Sequence, residues 1–577
     1  MSKEVKEVKK VSKGRRIVKR IFLTIGIIIL VLLLVIGILF GPFIYRYLMT
    51  QFNTKVNPVE VSLTTEQRLK DLDYMYDIVC LQNPMKEQME EAYGISYEDV
   101  YNRYREYVTE VNTDYEFFSY LTCFLAVLPG VHNAMKLPDY DSAVMGGFTL
   151  FDQFGKQEIR DYAYAWKDEF RDDVLSYNAY NAIAFTYTNG EYIGMGPSNA
   201  GARKNILDYR RAKLLTIDGK SPEEMCFELL DRLTPRYDEG RDCYFRGDLI
   251  FNDSVGEKHV AKIEMPDGTI KTIDVYDDPA FDISFYDGIS YYPDAYDISG
   301  TGSGSDSQEE VITDIWDDRY VPKTYSVYTD PDRHLVYVIS NSCDTTEGPR
   351  LVRDMQQAID SVGADKVILD IRSNGGGNFS FAVDQVLPAL FSHDVSFVTR
   401  EIGCKNDYTA NYYNCPAYQL SQYIAAKKLI ETDDRYFYNT EDFSVKGEAK
   451  GDYKIYLLTS HSTFSTGDIL AVLCKEYDNA TVIGANTSGE GICGSPFNCY
   501  LPESKFMFLY VPTVNITYPE DGYNGTSPDI YMTNTLEDSI AASDLNDQGL
   551  DVKSYEVRTS WDSVLRRVLE MIDSGEG

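Results

Sequence analysis

The residues able to do chemistry stand at the ends of apolar, strand-like runs. In IYLLTSHSTFSTGDILAVLCKEY such a run passes through a polar turn into a helical pattern that begins at Ser465. A serine at that junction sits where the unpaired N–H groups and positive end of a helix can stabilise an oxyanion, which is where a nucleophile is useful. Ser465 with Asp468 is equally an S-x-x-D capping box, and Ser462 and Thr463 are further capping residues, so the segment by itself supports helix initiation as well as catalysis. A second strand end, KVILDIRSNGGG, carries Gly375, Gly376 and Gly377; glycines permit a tight turn, and no GK[ST] follows to suggest phosphate binding. The five histidines (His132, His259, His334, His393 and His461) are scattered without HExxH-type spacing, so no metal centre is expected. His132 follows the Pro129-Gly130 turn, and His461 lies four residues before Ser465.

The elements that must position these residues fall into blocks. Residues 63–175 read as an N-terminal helical domain. TTEQRLKDLDYMYDIV opens it with a T-x-x-Q capping box, and DYEFFSYLTCFLAVL, with Asp114 as its cap, carries an apolar stripe that includes Phe117, Phe118, Leu121 and Phe124. Residues 176–278 change to short strands with one helix opened by S-P-E-E and a hairpin turning at Pro266-Asp267-Gly268, a compact αβ module. Residues 279–325, with SGTGSGSDSQEE, are too polar to fill a core and read as a linker or surface insertion. From 326 to 577 the strands HLVYVIS, KVILDIR, YKIYLLTS and ATVIGA alternate with helices. That order implies parallel βαβ units in a sheet covered on both faces, with ligand sites at the carboxyl ends of the strands. The closing helix SWDSVLRRVLEMID places Trp561, Val564, Leu565, Val568, Leu569 and Ile572 along one face.

At 577 residues, 44% hydrophobic and 25% charged, the chain has the composition of a folding protein, which excludes global disorder. Its net charge of −35 argues against a nucleic-acid partner, because counterion release needs a basic face. The charge is unevenly spread: residues 1–20 hold nine Lys/Arg against two Glu, a +7 tail that leaves −42 for the rest. Ile21 to Ile44 carries no charge. As a helix at about 1.5 Å per residue it would reach roughly 36 Å, enough to cross a hydrocarbon core of about 30 Å. A cleaved signal peptide is the competing reading, but the run exceeds an h-region of about 7 to 15 residues and no small-x-small site follows. Basic residues on the N-terminal flank place residues 1–20 in the cytoplasm, so 21–44 is expected to be a single-pass transmembrane anchor in the cell membrane and the acidic remainder extracytoplasmic. Ten cysteines show no CxxC; Cys404 with Cys415, and Cys493 with Cys499, are close enough to pair as disulfides or to stay as buried thiols.

The combination and order of these segments resembles the family of C-terminal processing (tail-specific) and tricorn-type serine peptidases. The family's glycine-rich strand end D-[LI]-R-x-N-x-G-G is similar to Asp370-Ile371-Arg372-Ser373-Asn374-Gly375-Gly376-Gly377, and its nucleophile turn S-A-x-E to Ser465-Thr466-Gly467-Asp468. The T-x-G turn falls in VIGANTSGEG, and the closing G-x-x-P-D-I matches Gly525-Thr526-Ser527-Pro528-Asp529-Ile530. The resemblance implies an α/β fold with a crotonase-like ββα catalytic core at 326–577, an N-terminal helical bundle, and a PDZ-like domain at 176–278 in which LLTIDGKSPEEM resembles the strand-turn-helix.

Lysine-dyad members of that family carry Lys after the T-x-G element, where this chain has Glu490. A carboxylate does not replace a neutral amine as the partner of a serine, so a lysine dyad is disfavoured. Tricorn-like members draw a histidine from the helical domain in a segment that LAVLPGVHNAM resembles, which makes His132 the implied general base and His461 its rival. An acidic residue just before P-D-I fixes the imidazole in those relatives; the resemblance points to Asp521, with Glu520 adjacent. Backbone N–H groups of Thr466 and of Gly375 or Gly376 would receive the oxyanion. The implied activity is a membrane-anchored serine peptidase that hydrolyses protein or peptide substrates through an acyl-enzyme, with no cofactor. The missing lysine leaves a second reading: a catalytically silent peptidase-fold protein that binds envelope proteins or peptides.

Overall fold

The computed structural model describes residues 56–127, 132–136, 156–177, 180, 182–194, 209–228, 236–281, 324–405, 430–432, 435–491, 497–511, 513–515 and 524–576. The basic tail, the apolar run 21–44, Asp521 and most of 279–325 lie outside the described residues. Among the described residues no helix is long and apolar enough to cross a membrane.

Hydroxyl caps start most of the N-terminal helices. Thr64 and Gln67 form the capping box of α1 (Thr65–Gln82); α2 (Lys86–Tyr93) follows, Ser96 caps α3 (Tyr97–Glu110) and Thr113 caps α4 (Asp114–Ala126). The cap of α4 is therefore Thr113, whose backbone is extended, and Asp114 lies inside the first turn, where its carboxylate accepts from Leu63 N–H and binds Arg68. Leu72, Met75, Phe118 and Leu121 join Trp166 and Phe170 of α5 (Lys156–Tyr177) in one core, which Phe506, Phe508 and Tyr510 complete from far along the chain. The short strand β1 (Ala134–Lys136), two residues after His132, pairs antiparallel with β19 (Met507–Tyr510), which also pairs with β18 (Phe497–Tyr500).

Six strands close a barrel in the order β2-β3-β4-β8-β9-β7: β2 (Ala182–Thr188), β3 (Glu191–Gly194), β4 (Lys213–Ile217), β7 (Asp248–Asn252), β8 (Glu257–Glu264) and β9 (Ile270–Asp277). It carries the short helix α6 (Pro222–Glu228) and has its own core, including Phe185, Leu249, Phe251 and Ile263. A two-stranded ribbon, β5 (Arg236–Asp238) with β6 (Cys243–Phe245), reaches the neighbouring elements: Tyr531 donates to Asp238 at 2.6 Å, and Tyr244 packs edge-on to Tyr93.

The central sheet runs β10-β11-β12-β16-β17-β21. β10 (Tyr325–Asp330) is antiparallel to β11 (Leu335–Ser340); from there β12 (Lys366–Asp370), β16 (Lys454–Thr459), β17 (Ala480–Gly484) and β21 (Ile530–Tyr531) are parallel. One face packs on α7 (Gly348–Val362) and α8 (Thr466–Lys475); α9 (Leu536–Asp547) and α10 (Tyr555–Trp561) then lead to α11 (Ser563–Ser574), which covers the other. Burial on both sides is why VILD and IYLLT are continuous apolar runs. Trp561 ends α10 and does not share the stripe of α11, because Asp562 caps α11 by accepting from Leu565 N–H. The helical expectation for SFAVDQVLPALF is met by a π-helical segment, Phe381–Val386, and a single α-turn, Leu387–Leu390.

A buried charge cluster ties α10 and α11 to the end of β12. Arg372 lies 2.6 Å from both Asp370 and Asp562, and Arg558 lies 3.2 Å from Asp370 and 2.9 Å from Asp562. Burial alone would raise the Asp370 pKa, but Arg372 and Arg558 hold it well below the usual carboxylate range. An antiparallel sheet, β14 (Ile430–Thr432), β15 (Tyr436–Val445), β13 (Val395–Cys404) and β20 (Thr513–Asn515), was not evident from the sequence pattern. Its strands carry charges and tyrosines among their apolar residues, so no clean period-2 pattern marks them. Cys404 and Cys499 are free thiols; Cys415 and Cys493 lie outside the described residues.

Candidate active site

Ser465 occupies the turn between β16 and α8 with φ 57° and ψ −123°, a conformation that L-residues avoid. It stands at the N-cap position, yet its side chain makes no capping hydrogen bond, so the capping-box alternative is not formed. Its backbone N–H donates to Gly489 O at 3.0 Å, and Ser488 N–H donates to Thr463 O at 2.8 Å, so the 487–491 turn lies alongside the turn that carries Ser465. On the other side lies the glycine turn. A Cβ on Gly376 would come within 2.6 Å of Ser465 Cβ and 2.7 Å of Phe464 O, and its φ is +94°, so both space and backbone conformation require glycine.

The glycine turn is held from behind. Asn374 Oδ1 accepts the Gly376 N–H at 2.8 Å, Cys343 N–H donates to Gly376 O at 2.9 Å, and Thr466 Oγ1 donates to Gly377 O at 2.8 Å. The Gly376 N–H is thereby committed to Asn374. The N–H groups of Gly375 and Thr466 have no acceptor among the described residues, and Gly375 has open space where a Cβ would lie. Two unpartnered N–H groups, one on each side of the Ser465–Gly376 contact, are what an oxyanion site requires.

His132 comes from the helical domain. Its backbone N–H donates to Glu490 Oε2 at 2.9 Å, and its Nδ1 lies 2.7 Å from the same oxygen. The imidazole packs on Phe464, the residue before Ser465, with centroids 4.6 Å apart. The approach is fixed by β1, where Ala134 pairs with Leu509, and by Asn133 Oδ1, which accepts from Val511 N–H at 2.8 Å. Glu490 has φ 56° and follows Gly489 at φ +74°. A proton on Nδ1, shared with Glu490, leaves the lone pair on Nε2, the tautomer a general base needs.

As a partner for the serine Glu490 is disfavoured; the structure pairs it with the histidine, 358 residues away along the chain. Its place after the T-x-G turn was the available signal. Asp521 lies outside the described residues. His461 is enclosed against the barrel ribbon, edge-on to Phe245 at 4.9 Å, and burial pushes its pKa down to about 4.

Residues 337–532 match the model of peptidase family S41, and this segment, which holds the glycine turn and Ser465, is a domain of that serine-type peptidase family, a hydrolase of mixed α/β fold. His132 lies outside the matched residues. No curated protein matches the chain in sequence. Among solved structures, mature CPAF complexed with lactacystin is similar at 13% identity and a TM-score of 0.47, over 89% of this chain and 100% of that one. The photosystem II D1 C-terminal processing protease is similar at 12% identity and a TM-score of 0.32, over 82% and 94% of the two chains. The tricorn protease is similar at 13% identity and a TM-score of 0.29, over 89% of this chain and 37% of that one.

Proposed function

We propose that this family S41 chain is a membrane-anchored, extracytoplasmic serine peptidase that cleaves peptide bonds through an acyl-enzyme, with Ser465 as nucleophile, His132 as general base and Glu490 as the carboxylate that orients the base. The observation that carries this reading is the 2.7 Å contact of His132 Nδ1 with Glu490, made by an imidazole packed on the residue next to Ser465. His132 Nε2 takes the Ser465 proton as Oγ attacks the peptide carbonyl carbon. The carbonyl oxygen, now negative, receives the N–H groups of Thr466 and Gly375. Collapse of the tetrahedral intermediate breaks the C–N bond, and the departing amine takes the proton from the imidazolium. Water, deprotonated by the same nitrogen, then frees Ser465. Glu490 takes the role that the family resemblance suggested for Asp521.

The uncharged run 21–44 behind a basic flank supports the anchor and its orientation. The six-stranded barrel with its single helix supports a PDZ-like module beside the catalytic domain. Full-length protein in detergent, incubated with casein and with a fluorophosphonate probe, tests the reading. Hydrolysis and labelling are both expected from the native chain, and neither is expected from Ser465→Ala. Labelling that persists in Ser465→Ala removes Ser465 from its role, and a native chain that enriches peptides without generating new termini is the silent binder.

A further inference from the structure

The catalytic steps above leave one member of the nucleophile segment without a task. Asp468, in the first turn of α8, is 2% exposed. Its carboxylate accepts the hydroxyl of Thr487 at 2.6 Å, the hydroxyl of Thr526 at 2.6 Å and the Gly491 N–H at 3.1 Å. Burial pushes its pKa up and these donors oppose the shift; no basic side chain among the described residues takes part. A buried carboxylate is costly unless its oxygens are satisfied, and these three donors satisfy them. Helix capping does not explain the residue, because the Ser465 N–H that a capping box would bind goes to Gly489 O.

The three donors belong to segments that meet at the site. Thr487 Oγ1 accepts the Thr526 N–H at 2.7 Å, and Thr487 N–H donates to Thr526 O at 3.1 Å, which joins the 487–491 turn to the G-x-x-P-D-I segment. Glu490 stands between Gly489, which accepts from Ser465, and Gly491, which donates to Asp468. There is no slack in this packing: a Cβ on Gly491 would lie 2.8 Å from Asp468 Oδ2 and from Ser465 O. We propose that Asp468 is a positioning residue of this active site, a buried carboxylate clamp that acts through Thr487, Thr526 and Gly491 to set the turn from which Glu490 meets His132. The inference rests on the assignment of Ser465, His132 and Glu490 as the catalytic group.

The clamp acts by geometry, and misplacing a catalytic group by about 1 Å costs on the order of a hundredfold. Three variants of the full-length protein test it by peptide hydrolysis and fluorophosphonate labelling: Asp468→Asn, Thr526→Val and Thr526→Ser. Asp468→Asn and Thr526→Val are expected to lower kcat by roughly ten- to a hundredfold with KM changed less than about twofold, the signature of a lost transition-state arrangement. Thr526→Ser, which keeps the hydroxyl, is expected to keep kcat. A Thr526→Val protein with native kcat, or a Thr526→Ser protein as impaired as Thr526→Val, overturns the clamp. If Asp468→Asn does not fold, the two Thr526 variants decide alone. Turnover that depends on Ser465 yet ignores Thr526→Val defeats the clamp only, whereas a native chain with no Ser465-dependent turnover defeats the catalytic assignment and the clamp together.

Discussion

Replacing Glu490 by Gln keeps the side-chain length and removes the charge, which isolates what the carboxylate does for His132. One oxygen, Oε2, takes both the His132 backbone N–H at 2.9 Å and Nδ1 at 2.7 Å. A glutamine with its carbonyl at that position accepts both bonds, so the tautomer survives and only charge assistance is lost. A hydrogen bond to a charged group contributes about 1.5–3 kcal/mol against about 0.5–1.5 for a neutral one, a difference of roughly 1–2 kcal/mol. A bare Coulomb figure for unit charges about 4 Å apart at an effective dielectric of about 20 is larger, about 4 kcal/mol. His132 and Glu490 are 30% and 18% exposed, so solvent screening makes the smaller figure govern. The acylation rate is therefore expected to fall about 5- to 30-fold in Glu490→Gln. Glu490→Ala removes the acceptor entirely, strands the His132 backbone N–H and frees the ring to take the other tautomer; the loss then moves toward the roughly 10⁴-fold found when a triad histidine is held in the wrong tautomer. The assay is the second-order rate of fluorophosphonate labelling, with peptide hydrolysis in parallel, on the native chain and both variants. The expected order is native, then Gln, then Ala. A folded Glu490→Ala protein that labels at the native rate would refute the reasoning, because His132 would then need no orienting acceptor.

Gly376→Ala should abolish labelling, since its Cβ falls 2.6 Å from Ser465 Cβ at a φ of +94°, while Gly375→Ala meets nothing within 4 Å and should keep the native melting temperature; a Gly376→Ala protein that labels normally contradicts the close approach. A pH effect is expected from Asp71 of α1, whose carboxylate caps the turn before β19 by accepting from Glu503 and Ser504 N–H. Burial pushes its pKa from 3.8 up to about 6, against the pull of those donors. An acid raised in this way binds a proton on folding, so its favourable contribution is complete below pH 3.8 and is lost as pH rises through about 6. Urea midpoints between pH 4 and 7 should show a decline to which this group contributes about 3 kcal/mol, and Asp71→Asn should flatten it. Identical pH profiles for the two proteins would remove Asp71 as the cause.

Several parts of this molecule are written locally in the chain. Thr64 and Gln67 announce the start of α1 within four residues, the runs VILD and IYLLT announce strands buried on both faces, and Ser465 lies at a strand-to-helix junction because an apolar run, a polar turn and a helical period succeed one another there. The glycine turn beside it was legible for the same reason. These features depend on spacings of a few residues, which is the range over which sequence periodicity carries information.

Tertiary structure alone decided which polar groups meet. A carboxylate accepts from whatever donor the chain's distant course brings to it, and nothing near Glu490 in sequence specifies a histidine 358 residues earlier. The pairing of β1 with β19 that delivers His132, the closure of six short strands into a barrel, and the choice of Asp468 between capping its own helix and clamping Thr487 and Thr526 are all of this kind. The Gly376 N–H was likewise an oxyanion donor on paper until the fold gave it to Asn374 Oδ1. Residue types and local order marked Ser465 and its turn as the candidate nucleophile segment. The long-range hydrogen bonds, which no local period encodes, decided that Glu490 meets His132 and that the N–H groups of Gly375 and Thr466 keep no acceptor among the described residues.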